Sequence, residues 1–95
     1  MRERRKRRDA NHAQIIRELE QAGVSVKDCS QLSGFVDIAC GYRGRTFLFE
    51  IKDPEKPPSK RALTPDEEDF HERWKGHLAI ILTSEEAIRI MTQSH

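Results

Sequence analysis

Apolar and β-branched residues crowd the stretch 35–53, Phe-Val-Asp-Ile-Ala-Cys-Gly-Tyr-Arg-Gly-Arg-Thr-Phe-Leu-Phe-Glu-Ile-Lys-Asp, and the break within it is Tyr42-Arg43-Gly44-Arg45. Two short apolar runs around a glycine predict a β-hairpin. Upstream the period lengthens to that of a helix. Ile15, Ile16, Leu19 and Ala22 form one stripe, with Asp9 or Asn11 as cap and Gly23 as stop, so a helix is expected to about residue 22. Residues 24–28 alternate as a short strand, and 29–34 form a polar loop that delivers the chain to the hairpin. Residues 53–62 hold three prolines and no apolar pattern, the mark of a loop. A second helix opens at Thr64, with Pro65 at its first position and Glu67 three residues after the cap. Leu63, Phe70 and Trp74 are expected to face inward from it, and Gly76 to end it. The apolar run 77–82 suits a strand buried on both faces, and 83–86 repeat the capping pattern before a last helix whose Ala87, Ile88 and Met91 close the core. These elements predict an α/β fold, one sheet with helices packed on it.

The hairpin also concentrates charge. If Arg43 and Gly44 form a two-residue loop, Asp37 lies opposite Glu50, and Lys52 follows two residues along on the same face. A three-residue loop with a bulge would carry Asp37 to the other face, and a type I′ turn demands positive φ of Arg43. Directly opposed acids repel, with Cβ atoms about 4.5–5.5 Å apart. A hard divalent cation offsets that repulsion; Mg²⁺, held by one or two carboxylates and by substrate phosphate oxygens, suits the arrangement. Phe35 and Ala39 share the face of Asp37, and Leu48 that of Glu50, so the acids stand on a partly apolar surface. The plainer account is a solvated hairpin face on which Lys52 pairs Glu50.

Length allows one domain, and the formal net charge of +1 hides an asymmetry. Six of residues 1–8 are Arg or Lys and one is Glu, so this tail carries +5 and the core, residues 9–95, carries −4. Clustered cations such as Arg4, Arg5, Lys6, Arg7 and Arg8 suit a polyphosphate partner, because each neutralised phosphate releases a counterion; a solubility tail is the alternative. Lys60 and Arg61 in the proline-rich loop suit the same backbone, and solvation explains them equally. Cys29 and Cys40 come without an apolar leader, which points to a reduced, cytoplasmic setting and against a disulfide. Zinc spacing is missing among Cys29, Cys40, His12, His71, His77 and His95. No stretch has the length needed to span a membrane.

Val36-Asp37 followed by Glu50-Ile51-Lys52 resembles the D…E-x-K signature of the restriction-endonuclease-like, or PD-(D/E)XK, nuclease superfamily, with Val36 in place of the usual proline. The stretch from about Asp9 to Met91 is similar to small Holliday junction resolvases and to viral or prophage VRR-NUC proteins. The resemblance implies an αβββαβα order around a mixed sheet, and a host cytoplasm if the chain is phage encoded. It implies Mg²⁺ or Mn²⁺ bound by Asp37, Glu50 and the Ile51 backbone carbonyl, with Lys52 holding or deprotonating the attacking water. Relatives supply a glutamate where this chain has His12, and often a glutamine where it has Glu67, so both are candidate site residues. His12 is equally suited to local hydrogen bonding, and the capping box accounts for Glu67 without chemistry. The expectation is a structure-selective endonuclease acting on branched or junction DNA, as a homodimer with two active sites. A nucleic-acid-binding module that has lost activity, and a small interaction protein with a basic docking tail, are the alternatives.

Overall fold

Arg43 and Gly44 form the two-residue loop of the hairpin, both in the left-handed region at φ 53° and 77°, in a computed structural model that describes residues 10–93. The strain of positive φ at Arg43 is accepted because a type I′ turn matches the twist of the strands it joins. The guanidinium rests 5.0 Å from the centre of the Tyr42 ring. The basic tail, with Arg4, Arg5, Lys6, Arg7, Arg8 and the proposed cap Asp9, lies outside the described residues.

Around the hairpin the order is α1 (His12–Gln21), β1 (Ser25–Asp28), β2 (Ile38–Tyr42), β3 (Arg45–Ile51), a 3₁₀ turn (Pro58–Lys60), α2 (Pro65–Arg73), β4 (Leu78–Ile81) and α3 (Ser84–Gln93). The four strands make one mixed sheet in the order β1-β2-β3-β4, antiparallel except for the parallel β3–β4 pair. This is an α/β domain of three helices on a four-stranded sheet. Among the described residues no helix is long and apolar enough to cross a membrane.

Strand parity divides the side chains. Ile38, Cys40, Phe47, Phe49, Ile51 and Ile81 point to one face, where Ile15 and Leu19 of α1 and Ala87 and Met91 of α3 cover them. Leu19, Phe47 and Phe49 are essentially inaccessible, and each such burial contributes about 1.5–3 kcal/mol. The opposite face carries Asp37, Leu48, Glu50 and Ile80, and α2 packs there through an edge-to-face contact of Phe70 with Phe35 at 5.3 Å.

Three expectations change. Trp74 does not face inward: it is 42% exposed and forms the cap of α2 with extended dihedrals. The helix stops there, where the backbone turns extended, rather than at Gly76, and the indole stacks on Phe70 at 5.2 Å. The strand β4 is not buried on both faces, since it forms an edge of the sheet and Ile80 is 45% exposed. Asn11 occupies the cap position of α1 but bonds no helix amide; its Nδ2 instead donates to Lys52 O at 3.2 Å and Leu82 O at 3.0 Å. Those carbonyls end β3 and β4, so α1 is tied to the same end of the sheet as the acidic pair.

Candidate active site at the hairpin

The β2–β3 register pairs Ile38 with Phe49, and one further step faces Asp37 with Glu50. Asp37 stands just before β2, held by its amide donating to Phe49 O at 3.1 Å and by its carbonyl accepting from Cys29 N at 2.8 Å. Its Oδ2 accepts from Ile51 N at 2.8 Å, satisfying a strand amide that β2 no longer reaches. Because the N–H and C=O of a strand residue project to the same edge, the Ile51 carbonyl is directed to that edge too. Glu50, beside Ile80 on β4, is 2% exposed, and Asp37 is 5% exposed. Buried acids need cations or donors, and here both are supplied.

Lys52 Nζ lies 3.6 Å from Glu50 Oε2 and 3.3 Å from Glu67 Oε1. Burial pulls the Lys52 pKa down more than any other single influence, yet Glu67, Glu50 and Asp37 together hold it above its ordinary value. Lys52 is thus a protonated cation among acids. Glu67 makes the capping contacts and also faces Lys52. Its Oε1 accepts from Thr64 N at 3.0 Å while Thr64 Oγ1 accepts from Glu67 N at 3.3 Å, a complete capping box. The same carboxylate accepts from Lys52 Nζ, which also stands beside Glu50. Burial pushes the Glu67 pKa up, but the bonds to Glu50, Thr64 and Lys52 outweigh it and leave the pKa lowered.

His12 is buried, with Nε2 3.5 Å from Asp28 Oδ1. Asp28 pairs with Ile38 and therefore belongs to the α1 side of the sheet. Its Oδ1 also accepts from Ser30 N and Ser30 Oγ at 2.9 and 2.7 Å, shaping the turn whose Cys29 amide holds Asp37. His12 therefore contacts the 28–30 turn on the face of the sheet away from the Asp37 and Glu50 side chains, and is not gathered with them. Sequence reasoning passed over Asp28, Ser30 and the clamp role of Asn11, although an Asp followed two residues later by Ser is a recognised turn signal. Lys60 ends the 3₁₀ turn, exposed, and Arg61, half-buried, caps it.

Among the described residues no three His, Cys, Asp or Glu side chains are arranged to hold a metal ion. Asp37 and Glu50 nevertheless supply two buried, adjacent hard-oxygen donors, which fits an ion such as Mg²⁺ that completes its shell with water and phosphate oxygens. A cleft of about 670 Å³ lies elsewhere, between α1, the turn after β3 and the start of α3. Glu18, Asp53, Glu55 and Glu85 line it, and such walls repel polyphosphates.

Comparison with models of known protein families, with characterised proteins and with solved structures returns no match.

Proposed function

We propose that this protein is a metal-dependent endonuclease of the PD-(D/E)XK type, hydrolysing DNA phosphodiester bonds and selecting branched or junction DNA. The observation that supports it most is the burial of Asp37 and Glu50 side by side with Lys52 against Glu50. A cluster of this kind costs stability unless it binds something, because buried like charges must be desolvated and held together. Asp37, Glu50 and the Ile51 carbonyl would hold Mg²⁺ or Mn²⁺, which when bound neutralises phosphate charge and acidifies a coordinated water.

The protein's own side chains do the rest. Lys52, kept protonated by Glu50 and Glu67, is suited to orienting the attacking water or donating to a non-bridging phosphate oxygen, and unsuited to removing the proton of that water. Glu67 restrains the ammonium from the side of α2. Water forms the new P–O bond and loses a proton, while the bond to the sugar oxygen breaks and that oxygen gains one. A four-way junction presents two equivalent cuts, which a C2 homodimer with two such sites would meet. The tail carries the non-specific phosphate contacts, with Lys60 and Arg61 beside the loop that leads to α2.

A binding module without activity is favoured by one observation: Asp37 holds Ile51 N, and Lys52 is shared between Glu50 and Glu67, so much of the cluster is engaged within the fold. Incubation with four-way junction, flap, single-stranded and duplex DNA, in Mg²⁺, Mn²⁺ and chelator, separates the two. Metal-dependent nicking that disappears in Glu50→Gln and Lys52→Ala while binding persists is expected. Binding without cutting in either metal would replace the nuclease by the module. Removal of residues 1–8 is expected to reduce the salt dependence of binding; an unchanged slope would remove the tail from the interface.

A further inference from the structure

Three aromatic rings, Phe35 ahead of β2, Phe70 on α2 and Trp74 at its end, lead from the acidic site to solvent. Phe35, two residues before Asp37, meets Phe70 edge-on at 5.3 Å, and Phe70 stacks with Trp74 at 5.2 Å and 29°. Phe70 explains itself by fastening α2 to the sheet. Trp74 does not, since it lies at the helix end and stays 42% exposed. Its indole is nevertheless held in place. A Cβ at position 76 would come within 2.8 Å of Trp74 Nε1, so Gly76 is what lets the ring lie against the backbone. Arg73 and Lys75 flank it, both exposed, and Ile80, exposed beside Glu50, adds apolar surface next to the carboxylates. An exposed ring stacked on Phe70 and flanked by two cations, joined through Phe70 and Phe35 to the proposed phosphate site, has the composition of a nucleobase stacking platform. From Glu67 to Trp74 the helix rises about 10 Å, the span of roughly three stacked nucleotides.

We propose that Trp74 stacks an unpaired base of the strand whose phosphate lies at the Glu50–Lys52 site. This names the substrate class as DNA with unstacked nucleotides, at a branch point or in a single strand, and rests on the nucleic-acid reading of that site. Bases inside a duplex are stacked on each other and offer no free face.

Trp74 is the chain's one tryptophan, so its emission reports on the platform directly. The full chain is titrated in chelator with oligothymidylate and with a blunt duplex, following both tryptophan emission and the anisotropy of labelled strands. Quenching by oligothymidylate and not by duplex is expected. Trp74→Ala should bind oligothymidylate roughly 5- to 150-fold more weakly with an unchanged salt slope, because stacking contributes affinity without phosphate contacts. Trp74→Phe should stay within a few-fold of wild type. Gly76→Ala, which sets a methyl group against the indole, should change the emission of the free protein, since the ring must shift to admit it. Saturated binding without quenching, equal quenching by duplex, or a Trp74→Ala protein that binds normally would overturn the platform. A blue shift of emission with protein concentration alone would overturn it too, by burying Trp74 against a second copy. Failure of the nuclease proposal looks different: quenching persists but no metal supports nicking. Nicking lost in Glu50→Gln but accompanied by no quenching sinks the platform and leaves the nuclease standing.

Discussion

Replacing Asp37 by Asn and by Ala separates its two roles. Both substitutions remove the charge that faces Glu50, and so relieve the same repulsion, about 3 kcal/mol for unit charges some 5 Å apart at an effective dielectric near 20. Only Ala removes the acceptor for Ile51 N, a bond of 2.8 Å in a buried setting. An orphaned buried amide costs about 1–3 kcal/mol, so Asp37→Ala should be less stable than Asp37→Asn by that amount. For a chain of 95 residues each kcal/mol shifts the midpoint by about 4–8 °C, which puts the two melting curves about 4–24 °C apart. Urea unfolding in chelator gives the free energies, and nicking of junction DNA in Mg²⁺ gives the chemistry. Asp37→Asn should match or exceed wild-type stability while losing nicking, since an amide oxygen still accepts from Ile51 but carries no charge for a cation. Coincident midpoints for the two variants would remove the structural role of the carboxylate. A stable Asp37→Asn that nicks normally would remove its role as a ligand.

Further outcomes follow from the same contacts. Asn11→Asp should destabilise by about 1–3 kcal/mol, because a carboxylate facing Lys52 O and Leu82 O cannot donate; a simple helix cap would accept Asp without loss, so unchanged urea stability refutes the clamp. Burial, with Cys29 adding to it, pushes the Cys40 thiol up to about 12, so almost no thiolate forms at pH 8 and Cys40 should alkylate only after denaturation; mass-mapped labelling at a free-thiol rate would contradict this. The lowered Glu67 pKa contributes stability that is present above the ordinary value of 4.5 and lost as pH falls through the folded value. Glu67→Gln, which keeps the capping acceptor, should therefore flatten the acid limb of the stability curve measured by circular dichroism, and an unaltered limb would show that the carboxylate is not charged in the native cluster.

Much of this protein is local and was therefore legible in the chain. The hairpin rests on two apolar runs around Arg43 and Gly44, and once that loop has two residues, strand parity alone puts Asp37, Glu50 and Lys52 on one face. Thr64, Pro65 and Glu67 announce α2 by capping chemistry between neighbours, and the α1 stripe of Ile15 and Leu19 reaches the core as its period requires. What sequence could not decide is which surfaces meet. Ile80 sits in an apolar run yet is exposed, because β4 is an edge strand of the sheet. Trp74 looks like a core residue by spacing, but its burial depends on what lies opposite the end of α2. Asn11 and Asp28 carry short polar side chains that suit caps and turns anywhere; the bonds of Asn11 to Lys52 and Leu82, and the contact of Asp28 with His12, exist because tertiary packing brings groups distant in the chain within reach. Periodicity and capping are properties of neighbours along the chain, whereas burial and long-range hydrogen bonding are properties of pairs that only the folded arrangement selects.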